Sequence, residues 1–123
     1  MMDNNFEKRK VTPVEMVGNP LNRNFNAVAS IGFSNAIEIN GDMVFWPVLT
    51  GSGAISATID LLISPDGDTL KEKSFLLNQT PIVISGTNTA TDYTEVMPVT
   101  GVVRLRVTAI SGTNASVTLM ARG

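Results

Sequence analysis

The strongest constraint in this chain is a period of two. Between residues 55 and 64, Ile55, Ala57, Ile59, Leu61 and Ile63 alternate with Ser56, Thr58, Asp60, Leu62 and Ser64. Successive side chains of a strand point to opposite faces, so this run predicts a strand with one apolar face and a polar face broken only by Leu62. The alternation returns near the C-terminus. Val103, Leu105, Val107 and Ala109 alternate with Arg104, Arg106 and Thr108, and Ala115, Val117, Leu119 and Ala121 alternate with Ser116, Thr118, Met120 and Arg122. No ten-residue stretch carries a convincing 3.6-residue period, so helix is predicted for one turn at most, near residues 69–74.

Side-chain chemistry points the same way. Val, Ile and Thr pack well on a pleated surface, whereas the 33 Ser, Thr and Asn residues compete with helix backbone for hydrogen bonds. Weaker strands are predicted at 26–33, 36–40, 43–49, 75–77, 81–85 and 94–99. Pro47 and Pro98 lack a ladder donor and belong at edges or bulges. Pro65-Asp66-Gly67-Asp68 predicts a chain reversal, because proline presets φ and Asp-Gly tolerates positive φ. Gly51-Ser52-Gly53 and Gly86-Thr87-Asn88 also read as turns. Ser111-Gly112-Thr113-Asn114 reads as the loop of a C-terminal hairpin. Both of its apolar sets would face one core only if Ala115 lies opposite Ala109 or Ser111, with Ile110 as a candidate bulge.

These elements predict one all-β domain, an antiparallel β-sandwich or jelly roll over residues 26–123, with an extended N-terminal arm over residues 1–25. The arm holds five of the eleven asparagines, the run Glu7-Lys8-Arg9-Lys10, Pro13 and Pro20, and no regular period. Contact with a partner or a neighbouring copy is expected of it. Packing back on its own domain is the alternative.

Absent residues exclude several chemistries. With no cysteine and no histidine there is no disulfide framework, thiol nucleophile, Cys/His zinc site or Ser-His-Asp triad. Carboxylates are present at Glu38, Asp42, Asp60, Asp66, Asp68, Glu72, Asp92 and Glu95, but no spacing selects the pair a glycosidase needs. Asp66-Gly67-Asp68 lacks the order and distal glutamate of a calcium loop, and the glycine clusters lack the P-loop pattern. The expectation is a chain that is not an enzyme, with no cofactor and no metal. A net charge of −2 argues against nucleic acid as a general partner, and no apolar run approaches the roughly 20 residues of a membrane-spanning helix. Met1 to Lys10 has no apolar h-region, which predicts synthesis in a cytoplasm-like compartment.

Two features suggest contact surfaces. Arg104 and Arg106 share a strand face, and the hairpin would bring Arg122 beside them as a third guanidinium able to grip acidic groups. Met43-Val44-Phe45-Trp46-Pro47-Val48-Leu49 is apolar on both faces, with Val44, Trp46 and Val48 on one side. Such a strand is either buried twice over or exposes a patch, and a core role is expected.

The run from Gly53 to Gly67, followed by the run from Val102 to Leu119, resembles small β-sandwich virion proteins of tailed bacteriophages. The likeness covers about residues 50–122. It implies a capsid cement or decoration subunit on the outer capsid surface of the virion, made in the bacterial host cytoplasm. Its partner would be the major capsid protein shell, and the subunit would be a homo-oligomer, a dimer or trimer. Lys8, Arg9, Lys10, Arg23 and Phe25 in the arm, with Arg104, Arg106 and Arg122, form the expected contact set. The alternative is a carbohydrate-recognising tail or head-fibre domain with Trp46 or Tyr93 as its platform.

Overall fold

The computed structural model describes residues 13–15, 23–75, 81–91 and 95–122. Among these residues seven strands make one curled sheet, antiparallel but for one short parallel pairing, with the form of a half-barrel. The all-β class and the antiparallel pairing are as the alternation predicts, and the strands join in one sheet. In chain order the strands are β1 (Pro13–Glu15), β2 (Arg23–Asn24), β3 (Gly32–Phe33), β4 (Ala36–Ser64), β5 (Lys73–Ser74), β6 (Ile82–Ala90) and β7 (Glu95–Arg122). A single 3-10 turn at Thr69–Lys71 falls where one helical turn is predicted.

Two very long strands organise everything else. Residues 44–50 of β4 pair with 116–122 of β7, and residues 56–64 pair with 102–111. Residues 37–45 of β4 then pair with 95–103 of β7, so Val103 lies between Ile37 and Ile63. Each long strand thus offers different stretches to its partner on its two edges, which curls the sheet. The predicted C-terminal hairpin does not form. Residues 103–109 and 115–121 belong to one continuous strand, and both find their neighbours on β4.

What sequence marks as turns at 51–53 and 111–114 is a corner where both strands bend together. Ser52 lies across from Thr113, and the register slips on either side of that pair. Glycine is required here by space. A Cβ at Gly51 would stand 2.8 Å from Ile55 Cγ2, and one at Gly112, where φ is +119°, would stand 2.5 Å from the same methyl. Two backbones therefore close over Ile55, which is 3% exposed.

A second irregularity re-aims the side chains. Thr58 pairs with Ala109 and Ile59 with Val107, so Thr108 is the extra residue of a β-bulge, its hydroxyl on the Thr58 carbonyl at 3.3 Å. Before it, Val103, Leu105 and Val107 are buried as predicted; beyond it, Ala109 turns outward and Ile110 packs partly on the core instead. Pro47 and Pro98 lie where their strands have a ladder partner on one side only among the described residues, so neither missing donor breaks a second ladder.

The concave side is apolar. Phe25, Ile39, Phe45, Leu49, Ile59, Leu61, Ile84, Leu105, Val117 and Leu119 are almost fully enclosed, and Phe75 meets Phe45 edge to face at 5.5 Å. Burial of each such side chain is worth about 1.5–3 kcal/mol against leaving it in water. Phe25 is therefore core, not an exposed contact residue: its N–H reaches the Leu119 carbonyl at 2.9 Å, and Val28 continues the pairing along Val117. Residues 13–15 and 23–24 of the predicted arm are strands of the same sheet, against residues 36–38 and 120–121.

A candidate protein-contact surface

The convex side carries an arginine cluster built by three elements. Alternation along β7 puts Arg104 and Arg106 on that side, across from Leu62 and Asp60 of β4. The 3-10 turn ends at Glu72, whose carboxylate accepts two bonds from the Arg104 guanidinium, from Nε at 2.5 Å and Nη2 at 2.6 Å. Both side chains are about nine-tenths buried. This is the bidentate fork that arginine makes and lysine cannot. β3 supplies the third component by setting Phe33 directly across from Arg106. The Arg104 carbon lies 3.8 Å and the Arg106 carbon 5.9 Å from the centre of the Phe33 ring, both within cation–π reach.

Ser34 holds this segment in place. Its hydroxyl accepts the Leu105 N–H at 2.8 Å while its own N–H donates to the Leu105 carbonyl at 2.9 Å, so a side chain completes the ladder where the backbone turns. The residues just before it are pinned to the sheet yet left in solvent. Ile31 is 71% and Phe33 47% exposed, and with Gly32, Arg106, Val107 and Thr108 they line a recess of about 190 Å³. Asp60, opposite Arg106, takes the Ser74 hydroxyl at 2.6 Å. The surface thus joins a wet apolar pair to an exposed guanidinium, over a base made rigid by the Arg104–Glu72 pair.

The predicted contact residues separate. Arg104 is locked into the sheet and Arg106 is exposed. Arg122 does not join them, because the continuous β7 carries it to the far end of the strand, across from Val44. The β2 backbone sets Arg23 across from Ala121. Lys8, Arg9, Lys10 and Tyr93 lie outside the described residues. Of the strand for which a core role is expected, Met43, Phe45, Pro47 and Leu49 face the core, while Trp46 is half-buried on the convex side between Val44 and Val48. Sequence reasoning missed Ile31, Phe33 and Glu72 as parts of a surface. The available signal was Ile-Gly-Phe in a segment too short to alternate.

A second recess of about 620 Å³ lies beside the 65–71 turn, lined by Ile63, Ser64, Pro65, Leu70, Lys71, Lys73 and Thr100. The turn is internally bonded: Ser64 Oγ accepts from Gly67, Asp66 from Asp68, and Asp68 from Leu70. The backbone N–H of Asp68, and then the Lys71 ammonium at 3.1 Å, hold the Asp66 carboxyl below its ordinary 3.8. The carboxylates here are spent on turn geometry. No group of three or more potential metal ligands occurs among the described residues, and no helix there is long and apolar enough to cross a membrane. No family model and no curated protein matches the chain.

Proposed function

We propose that this chain is a non-enzymatic structural protein of a tailed-phage virion, a cement or decoration subunit that works through contact with the assembled capsid shell. The observation supporting a contact role is the Ile31, Phe33 and Arg106 surface: two large apolar side chains held in solvent beside a guanidinium on a stiff sheet. Aromatic residues and arginine are the types that dominate protein-interface energetics, and exposed apolar residues clustered in this way mark interaction sites. The cement assignment itself draws on the sequence resemblance. A ligand that binds only the assembled shell stabilises it by mass action, with no chemistry required of the subunit.

The test is co-sedimentation of the purified chain with shells, alongside its copy number relative to the major shell protein in purified particles. A fixed stoichiometric ratio is expected. Phe33→Ala with Arg106→Glu should weaken shell binding by about 30-fold or more while leaving the unfolding midpoint close to wild type. Removing residues 1–12 leaves the β1 pairing intact and measures the arm separately. A chain missing from particles and indifferent to shells would end this reading.

A further inference from the structure

The sheet treats its edges unequally. β1, β2, β3 and β5 are two or three residues long, and such short edges offer little to a passing strand. β6 has nine residues, and among the described residues it pairs only with β4. Its sequence, Ile-Val-Ile-Ser-Gly-Thr-Asn-Thr-Ala, contains no charge and no proline, the usual means of keeping an edge from pairing. The edge is also open to solvent, with Val83 63% exposed and residues 85–89 all exposed. Its straight part is set by the ladder, because 82–87 pair without interruption against 54–59. Asn88, with φ of +65° and its side chain on the Gly53 N–H at 2.8 Å, then bends the strand around the corner.

We propose that β6 is a dimerisation edge whose occupant is the β6 strand of a second copy, paired antiparallel about a twofold axis. A strand paired with itself in this way is an isologous contact that needs no other sequence. Keeping the two concave faces on one side restricts the register to residues of matching parity. The register centred on Ile84 uses the straight run: Ile84 meets Ile84 of the second copy, Ile82 meets Gly86, and Val83 meets Ser85 with the second Val83 on the diagonal. Like sets against like, apolar residues stay with apolar on the concave side, the exposed valines gain cover, and no charge opposes its copy. With a net charge of −2 per chain, long-range repulsion between copies is weak.

This inference stands apart from the shell-binding surface, which β3 and β7 carry. Sedimentation velocity on the full chain at increasing concentration is the test. The expected result is a species of twice the 13.1 kDa chain mass, shifted to one chain mass by Val83→Lys and unaffected by Leu70→Lys, an exposed apolar control away from β6. Hydrogen exchange should show amides of 82–86 gaining protection with concentration in wild type and not in Val83→Lys. A wild-type chain that stays monomeric, or a dimer untouched by Val83→Lys with no added protection in 82–86, overturns the proposal. Shell binding that fails while the dimer persists would count against the cement reading alone.

Discussion

The two glycine-bearing breaks in β4, one inside it and one at its end, are held by different forces. The break after Ser64 is self-sufficient: Ser64, Asp66 and Asp68 side chains each accept a backbone N–H two or three residues away, and the chain reverses into β5 within ten residues. The break at 51–54 has no such local bonds. Its neighbours are distant in sequence, with Ser52 across from Thr113, Gly53 bonded to Asn88, and Ser56 hydroxyl to Ser111 hydroxyl at 2.8 Å. The first is a turn because of what it contains. The second is a corner because of what lies beside it, and there the chain continues in the same strand.

The largest effect is expected where the local turn is tied to the rest. Glu72 ends the 3-10 segment, and its pair with Arg104 is the nine-tenths-buried link from that turn to β7. Arg104→Met strands the Glu72 carboxylate and should cost about 3–5 kcal/mol in chemical denaturation, most of it recovered in the double variant with Glu72→Met. A cost under about 1 kcal/mol for the single variant would mean the turn holds without that link.

Next in size is the contrast between glycines. Gly112→Ala forces a Cβ against Ile55 and the Ala54 carbonyl at a positive φ, and should cost about 2–4 kcal/mol. Gly67→Ala, at φ of +86° in the local turn, should cost about 1–2 kcal/mol for its backbone conformation. Equal losses would erase the distinction between corner and turn.

The smallest effect is a titration. Asp66 has a folded pKa below its ordinary 3.8, so its contribution is complete above that value and is lost as pH falls through the lower folded one. Carbon-detected NMR should place the Asp66 midpoint below 3.8. Lys71→Met should raise it only partway, because the Asp68 N–H is the larger cause. Full return to 3.8 would make the ion pair, not the turn, responsible.

Legibility in the sequence follows the same division. The strand over 55–64, the reversal at 65–68 and the single helical turn depend on neighbours within a few residues, and all are read correctly. The C-terminal hairpin fails because its loop residues, Ser111 to Asn114, are equally suited to a bend, and only β4 lying alongside decides between the two. Strict alternation points Ala109 inward, and one unpaired residue, Thr108, reverses it. The candidate surface was half legible. Arg104 and Arg106 share a face by period alone, but Phe33 and Glu72 reach them from 71 and 32 residues away through β3 and the 3-10 turn, and Arg122 is removed by the same continuity that abolishes the hairpin.

Sequence by itself determined the β class, most of the apolar residues that face the core and the glycine-bearing positions where the backbone must depart from a regular strand, because side-chain alternation and glycine conformation are local properties. Tertiary structure decided which departures reverse the chain, which arginine is locked and which exposed, and which edge of the sheet is left long and open. Those depend on the partner that each strand's hydrogen-bonding groups find, and in a sheet that partner is chosen across tens of residues.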